Sequence, residues 1–187
     1  QLGKLGVQSI VNSMGVFVSA AFAAVNRIDD FAYMPQQNIA HAMTALMAQN
    51  KGAKKTDRIK AAFRCGMKIE LFYGIFIFFV CFFLAHPLMQ LFSNDPVVCK
   101  HGVTYLKLIS LMYLFPAVTN GVQGYFRGIG DLKITLISSF VNMSVRVIFA
   151  AVLVFHFSLQ IEALPFSYLA GWIGMLLAEV PLLLRKF

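Results

Sequence analysis

The sequence predicts an all-α fold, a polytopic bundle of transmembrane helices. Of its 187 residues, 59% are apolar and only 13% are charged, whereas a soluble globular domain has about 45–50% and about 25%. Several apolar runs approach the roughly 20 residues that a helix needs to cross a bilayer. The formal net charge of +8 is concentrated between a few of these runs, which is typical of a membrane protein with one positive side. Disorder is excluded, because it requires low hydrophobicity.

Five runs are predicted to be full spans, and one further segment to be part of a span. The full spans cover residues 16–48, 69–85, 103–125, 134–155 and 164–184. Residues 5–11 have the composition of the end of another helix, which the turn signal at residues 12–15 separates from the first full span. Because the chain starts with Gln1 and already reads as a helix there, we expect it to be a piece of a longer protein.

Capping residues mark the predicted helix starts. Asp95 is expected to be an N-cap, with Pro96 at the first helical position. Thr56 and Asp57 are expected to cap a helix that begins after them, near residue 58, and Asp131 to cap one that begins near residue 132. A carboxylate at these positions accepts free backbone N–H groups and suits the helix dipole.

Glycines and prolines lie inside the spans. Gly124 and Gly128 form a GxxxG pattern, which in a membrane span indicates close packing of two helices. Pro35 and Pro116 are predicted to break the first and third full spans. A broken backbone at membrane depth is tolerated where it lines a cavity, and such breaks are typical of transporter sites.

The basic residues predict the orientation of the bundle. Seven lie between the first two full spans, Arg127 and Lys133 flank the turn between the third and fourth, and Arg185 and Lys186 close the chain, so these positions hold 11 of the 16 bases. Two spans separate each group from the next, which places all three on one face. The positive-inside rule makes that face, with the carboxy terminus, cytoplasmic. Since topology accounts for the bases, we expect no nucleic-acid binding.

Polar residues recur at helical spacing on three of the full spans. On the first they are spaced by 4, 3, 4 and 4 residues, which places them on one helical face. Polar groups in a bilayer usually face a bundle interior or an aqueous cavity, although Ser, Thr and Asn also join helices, at about 0.6–2 kcal/mol each. The candidate cavity-lining residues are Asn26, Asp30, Tyr33, Gln37, His41, Asn120, Gln123, Asn142 and Arg146.

Four charged residues within the predicted spans are not explained by the topology: Arg27, Asp29, Asp30 and Arg146. At about 1.5 Å per residue, Arg146 lies about 22 Å from the cytoplasmic start of its helix and Asp30 about 30 Å from the cytoplasmic end of its own. Both are therefore expected in the outer half of the membrane. We predict that Arg146 forms an ion pair with Asp29 or Asp30, or that Arg27 does so within its own helix.

The remaining chemistry-bearing residues have ordinary structural interpretations. Glu70 and Glu179 are expected at the membrane interface, where basic neighbours offer them partners. Cys81 lies in an apolar run and is expected to be a buried hydrophobic residue. The sequence has no paired-carboxylate site, nucleophile elbow or cluster with metal-ligand spacing. We therefore expect neither an enzyme nor a bound cofactor or metal.

Several short motifs, in their order along the chain, resemble the second half of a multidrug and toxic compound extrusion (MATE) transporter. The segment NRIDDFAYMP looks like a signature of that family, and AQNKGA is similar to the family's GQNxGA stretch. Single motifs are weak, but the series covers nearly the whole chain. The matching segments are residues 26–35, 48–53, 87–88, 91–96 and 127–131.

The resemblance implies two six-helix lobes around a central cavity, with residues 1–187 as the carboxy-terminal lobe and the amino-terminal lobe absent. It implies export of cationic or amphipathic compounds across the plasma (inner) membrane by alternating access. The compounds, the lipid bilayer and the other lobe would be the partners, and Na⁺ or H⁺ would be the coupling ion. Some branches carry a coupling acid in the tenth helix, but the corresponding position falls at about Pro116. We therefore expect the coupling acid in the other lobe.

Two alternatives remain open at this point. A flippase for lipids or lipid-linked oligosaccharides of the same superfamily would have the same architecture. Several cations lining the central cavity would favour it, because its substrates are anionic. A membrane assembly module that transports nothing would instead have polar stripes facing neighbouring helices, with no central cavity.

Overall fold

The computed structural model describes residues 2–157, 159 and 161–186, and for residues 2–5 the backbone alone. This part of the chain forms eight α-helices and no β-strand, so the predicted all-α class is confirmed. The helices are α1 Leu2–Ser13, α2 Val16–Gly52, α3 Thr56–Phe83, α4 Ala85–Gln90, α5 Pro96–Ser110, α6 Leu114–Gly128, α7 Leu132–Phe155 and α8 Ala163–Leu184.

The eight helices correspond to the predicted spans, with one span split in two. By length and apolar composition α3, α7 and α8 can each cross a membrane, and α5 with α6 forms a bent pair that does so together, at an angle of 51°. Although α2 has 37 residues, its Gln, Asn and charged residues make it more polar than the others. The short α4 occupies a predicted connection, and α1 is the partial span.

The two prolines behave differently from each other. The predicted break at Pro35 is wrong, because α2 continues through it from residue 16 to residue 52. The break in the third span falls at residues 111–113, and Pro116 lies in the first turn of α6. The N–H groups of a first helical turn have no intrahelical partner, so a proline costs little there.

One of the three predicted caps is confirmed. The Asp95 carboxylate accepts hydrogen bonds from two backbone N–H groups of α5, at 2.7 and 3.2 Å. The cap at Thr56 and Asp57 is wrong, because α3 already begins at Thr56 with no side-chain cap. Asp131 does precede α7 but makes no capping hydrogen bond. Its carboxylate instead pairs with Lys186, at 2.5 Å.

The glycines of α6 let it approach α2 closely. A Cβ atom on Gly124 would lie 3.0 Å from the carbonyl oxygen of Ala40, and one on Gly128 would lie 3.0 Å from that of Thr44. Both contacts are to backbone, which cannot move aside as a flexible side chain would. The predicted close packing at this GxxxG pattern is therefore confirmed.

The predicted basic face is one end of the bundle, which we call the basic end. The Lys51 ammonium, at the end of α2, donates a hydrogen bond to the carbonyl oxygen of Ile129, just after α6. The Lys186–Asp131 ion pair joins the end of α8 to the start of α7. The basic segments after α2, after α6 and after α8 therefore meet, as the sequence predicted.

Large apolar side chains cover the outside of α3 and α7. On α3, Phe72 and Phe76 are exposed, and on α7 Leu136 and Phe140 are exposed. Large exposed apolar patches mark surfaces that contact another protein or a membrane. It is the surface expected of a helix that faces lipid, which supports the membrane assignment.

Candidate functional site

The polar stripe of α2 faces an open side of the bundle rather than a neighbouring helix. There it borders two adjoining cavities that share Tyr33 and Gln37. The first, which we call the outer cavity, lies farther from the basic end and has a volume of about 570 Å³. Its lining comprises Val7, Gln8, Phe22, Asn26, Asp29, Asp30, Tyr33, Met34, Gln37, Arg146 and Tyr168.

The second cavity, which we call the inner cavity, lies closer to the basic end, with a volume of about 280 Å³. It lies between α2, α6, α7 and α8 and contains amides and hydroxyls but no charged side chain in its lining. The residues around it are Tyr33, Gln37, Pro116, Thr119, Asn120, Gln123, Ser139, Asn142, Met143, Trp172 and Met175.

Of the nine predicted cavity-lining residues, eight line one or both of these cavities. The exception is His41, which is exposed on α2 but lines neither of them. The helical spacing of the stripe therefore identified a real polar face. The prediction extended this face about one turn too far towards the basic end. That these residues contact a substrate stays a prediction.

The predicted pairing of Arg146 with an aspartate is present as an electrostatic interaction with Asp29 but not as a direct ion pair. Within the described part of the chain, its guanidinium forms no ion pair with Asp29 or Asp30. It lies over the ring of Tyr168, with its central carbon 3.2 Å from the ring centroid. A planar guanidinium stacks on an aromatic face and is attracted by the ring's electrons, so a partner on α8 holds Arg146 at the cavity wall. Arg27 is exposed and likewise forms no ion pair with either aspartate.

Asp29 and Asp30 are neighbours in the sequence with different environments. Asp29 is buried, and its carboxylate accepts a hydrogen bond of 2.5 Å from the hydroxyl of Tyr113. Tyr113 lies in the break between α5 and α6, and its ring packs edge-on against Tyr33, with centroids 5.4 Å apart. Asp29 therefore connects α2 to the bent span, whereas Asp30 is exposed at the outer cavity.

Sequence reasoning missed the most deeply buried polar groups. Glu70 and Glu179 were expected at the interface, but both side chains are fully buried. Gln36 is also fully buried, and neither polar atom of its amide has a hydrogen-bond partner among the described residues. The helical spacing around Glu70 could have predicted its burial. Glu70 lies four residues from both Gly66 and Gly74, so it shares the buried face of α3 with these glycines.

Comparisons with known proteins agree with this architecture. The model of the MatE family matches residues 1–152. Over 175 residues the chain is 25% identical to the "Probable multidrug resistance protein NorM" of Thermotoga maritima, covering 91% of this chain and 36% of that one. Over 174 residues it is 27% identical to the "Probable multidrug resistance protein YoeA" of Bacillus subtilis, covering 92% and 36%. The chain thus spans about a third of the length of these curated relatives.

A solved structure shares the fold. It is the outward-facing conformation of a multidrug resistance MATE family transporter of the MOP superfamily, matched with a TM-score of 0.92 at 12% identity. The match covers 99% of this chain and 41% of that one. The helices α1 to α8 therefore have the arrangement of one part of a larger helical membrane protein.

Proposed function

We propose, since the chain belongs to the MatE family, that residues 1–187 form the carboxy-terminal lobe of a two-lobe exporter of cationic or amphipathic compounds. This family consists of transporters, in agreement with the expectation that the chain is not an enzyme. The missing lobe would be supplied by the part of the protein that the relatives have and this chain lacks. Export would be coupled to inward movement of Na⁺ or H⁺ across the plasma membrane.

The proposal of cationic substrates rests on the charged residues of the outer cavity. Two carboxylates, those of Asp29 and Asp30, and one guanidinium, that of Arg146, line it. The guanidinium stacks on the ring of Tyr168, whereas Asp30 is exposed. The lining therefore has one more acidic than basic side chain, which favours a cationic compound, and the surrounding apolar side chains strengthen that attraction by excluding water.

Alternating access supplies the transport step in this proposal. The two lobes would rock against each other around a cavity near the middle of the membrane. In this lobe the cavity wall is built by α2, α7 and α8, while the bent pair α5–α6 contributes Asn120 and Gln123. The basic end would face the cytoplasm, with the carboxy terminus, because the positive-inside rule favours that orientation.

The alternative functions receive less support from the same cavities. A flippase for anionic lipids would be favoured by several cations, but Arg146 is the one cation in the lining of the outer cavity. An assembly module would turn its polar stripes towards neighbouring helices. Here most of the stripe of α2 borders the outer and inner cavities instead, as Asn26, Asp30 and Gln37 illustrate.

The test is efflux of a cationic dye from vesicles that contain the full-length transporter, with Na⁺ and pH gradients imposed separately. We expect efflux under at least one gradient, and a several-fold loss in Asp30→Asn for a cationic dye but not for a neutral amphipathic one. His41→Gln is the matched control, because His41 is exposed on the same helix outside both cavities. Absence of efflux under both gradients contradicts the proposal.

A further inference from the structure

A second acidic site lies beneath the inner cavity, at the interface of α6, α7 and α8. The side chain of Glu179, on α8, is fully buried there. One carboxyl oxygen lies 2.5 Å from the hydroxyl oxygen of Ser138 on α7. The other carboxyl oxygen has no hydrogen-bond partner among the described residues. Neither the family match nor the proposed substrate cavity assigns a role to this carboxyl group.

The hydrogen bond between Ser138 and Glu179 fits either protonation state of the carboxyl group. The Ser138 hydroxyl oxygen lies within hydrogen-bond distance of two acceptors, the Glu179 carboxyl at 2.5 Å and the carbonyl oxygen of Thr135 at 3.2 Å. A serine hydroxyl has a single hydrogen to donate. Either Ser138 donates to the nearer acceptor, Glu179, or it donates to Thr135 and accepts from a protonated Glu179.

Among the described residues no cation forms an ion pair with Glu179. From α6, Arg127 attracts the ionised form of Glu179, but the two make no ion pair, and the Nε of Arg127 donates to a backbone carbonyl at 3.2 Å. On α7, Lys133 is exposed and Arg146 is stacked on Tyr168. Directly after α8, Arg185 is exposed at the basic end. An ionised carboxylate without a close partner is costly inside a membrane, whereas the neutral acid is not.

The inner cavity lies about one helical turn from this carboxyl group along α8. Met175, one turn before Glu179 on α8, lines the cavity. So do Gln123 and Ser139, which are joined by a hydrogen bond of 3.1 Å, and Ser139 directly follows Ser138. A small separation of α8 from α6 at this level would therefore admit water to Glu179.

We propose that the Glu179 carboxyl group is a proton-binding site, which holds its proton while α6, α7 and α8 are packed and releases it when the lobe opens. The release step rests on the proposed transport function, whereas the bound proton does not. A metal ion needs several oxygen ligands, whereas this carboxyl group has two polar side-chain neighbours, the hydroxyl of Ser138 and the amide of Gln123. The site therefore suits a proton rather than Na⁺.

The test is infrared spectroscopy of the full-length transporter in lipid vesicles, recorded as the pH is raised from about 5 to about 9. This range includes the pKa values that buried glutamates have in proteins. We expect a C=O band of a protonated carboxylic acid that is lost in Glu179→Gln and disappears from the wild type as the pH rises. Glu70→Gln is the matched control. Glu70 is equally buried but has no hydrogen-bond partner for either oxygen in the described part of the chain.

Ser138→Ala keeps the experiment decisive if Glu179→Gln fails to fold. It retains the carboxyl group and removes its hydrogen-bond partner, so the Glu179 band should shift in frequency while the Glu70 band stays in place. Identical spectra of wild type and both variants in the carboxylic-acid region would overturn the proton-binding site, and a Glu179 band that ignores pH would overturn its release.

The transport assay separates this proposal from the proposed function. Because infrared spectra report on Glu179 without any transported compound, a protein with the expected bands but no dye efflux would contradict the exporter and leave the proton site supported. A protein that exports dye with unchanged pH dependence in Glu179→Gln would contradict the coupling of this proton to transport.

Discussion

The two faces of α2 differ in what they contact. One face carries Ala40 and Thr44, whose backbone lies against glycines of α6. The other carries the polar stripe, which borders the outer and inner cavities. The packed face depends on small residues and tolerates little added volume, whereas the open face depends on which polar groups it presents. Substitutions on the first should therefore change stability, and substitutions on the second should change transport.

The largest effect is expected on the packed face, from Gly128→Val. A Cβ atom at this position would lie 2.7 Å from that of Met47 and 3.0 Å from the carbonyl oxygen of Thr44. Because the backbone cannot move aside, we expect a loss of about 3 kcal/mol, the top of the usual range for overpacking, seen as a lower melting temperature. Gly52→Ala is the control, since nothing lies within 4 Å of an added Cβ atom there. A Gly128→Val variant as stable as this control would show that the packed face of α2 tolerates added volume.

The next effect is expected where the two faces meet, from Tyr113→Phe. This change removes the hydroxyl that donates to the buried Asp29 carboxylate at 2.5 Å, and hydrogen bonds to charged groups contribute about 1.5–3 kcal/mol. Asp29→Asn should cost less, because an amide still accepts from Tyr113 and carries no charge. Thermal unfolding of the two single variants and the double variant measures the coupling. Additive losses would show that the two side chains do not interact.

The sequence predicted the periodic features of the molecule better than the surroundings of single buried residues, for a physical reason. A stripe such as Asn26, Asp30, Tyr33 and Gln37 is periodic, and periodicity follows from the helix alone. The placement of Glu179 depends instead on which helices surround it. A single residue forms no periodic pattern, so the sequence does not reveal these surroundings. The same limit explains Arg146, whose partner is an aromatic ring on another helix rather than the nearest opposite charge.

A smaller effect is expected on the open face, from Arg146→Lys. Lysine keeps the positive charge but lacks the planar group that stacks on Tyr168, so we expect a loss of about 0.5–2 kcal/mol. The freed ammonium would also extend into the outer cavity and reduce affinity for a cationic dye. Melting temperature and dye affinity are the measurements, with Lys133→Arg as the control, because Lys133 is exposed on the same helix. Unchanged dye affinity would show that the stack does not control the cavity's charge.

The finest test compares the same substitution at two consecutive positions, one on each face. Gln36 is fully buried with both amide atoms unpaired among the described residues, whereas Gln37 is exposed and lines both cavities. Gln36→Leu removes two unsatisfied polar atoms at similar volume, so stability should rise by about 1 kcal/mol with transport retained. Gln37→Leu should change stability by no more than about 0.5 kcal/mol and lower dye efflux several-fold. The opposite assignment of the two effects would mean that the packed face, not the open one, contacts the transported compound.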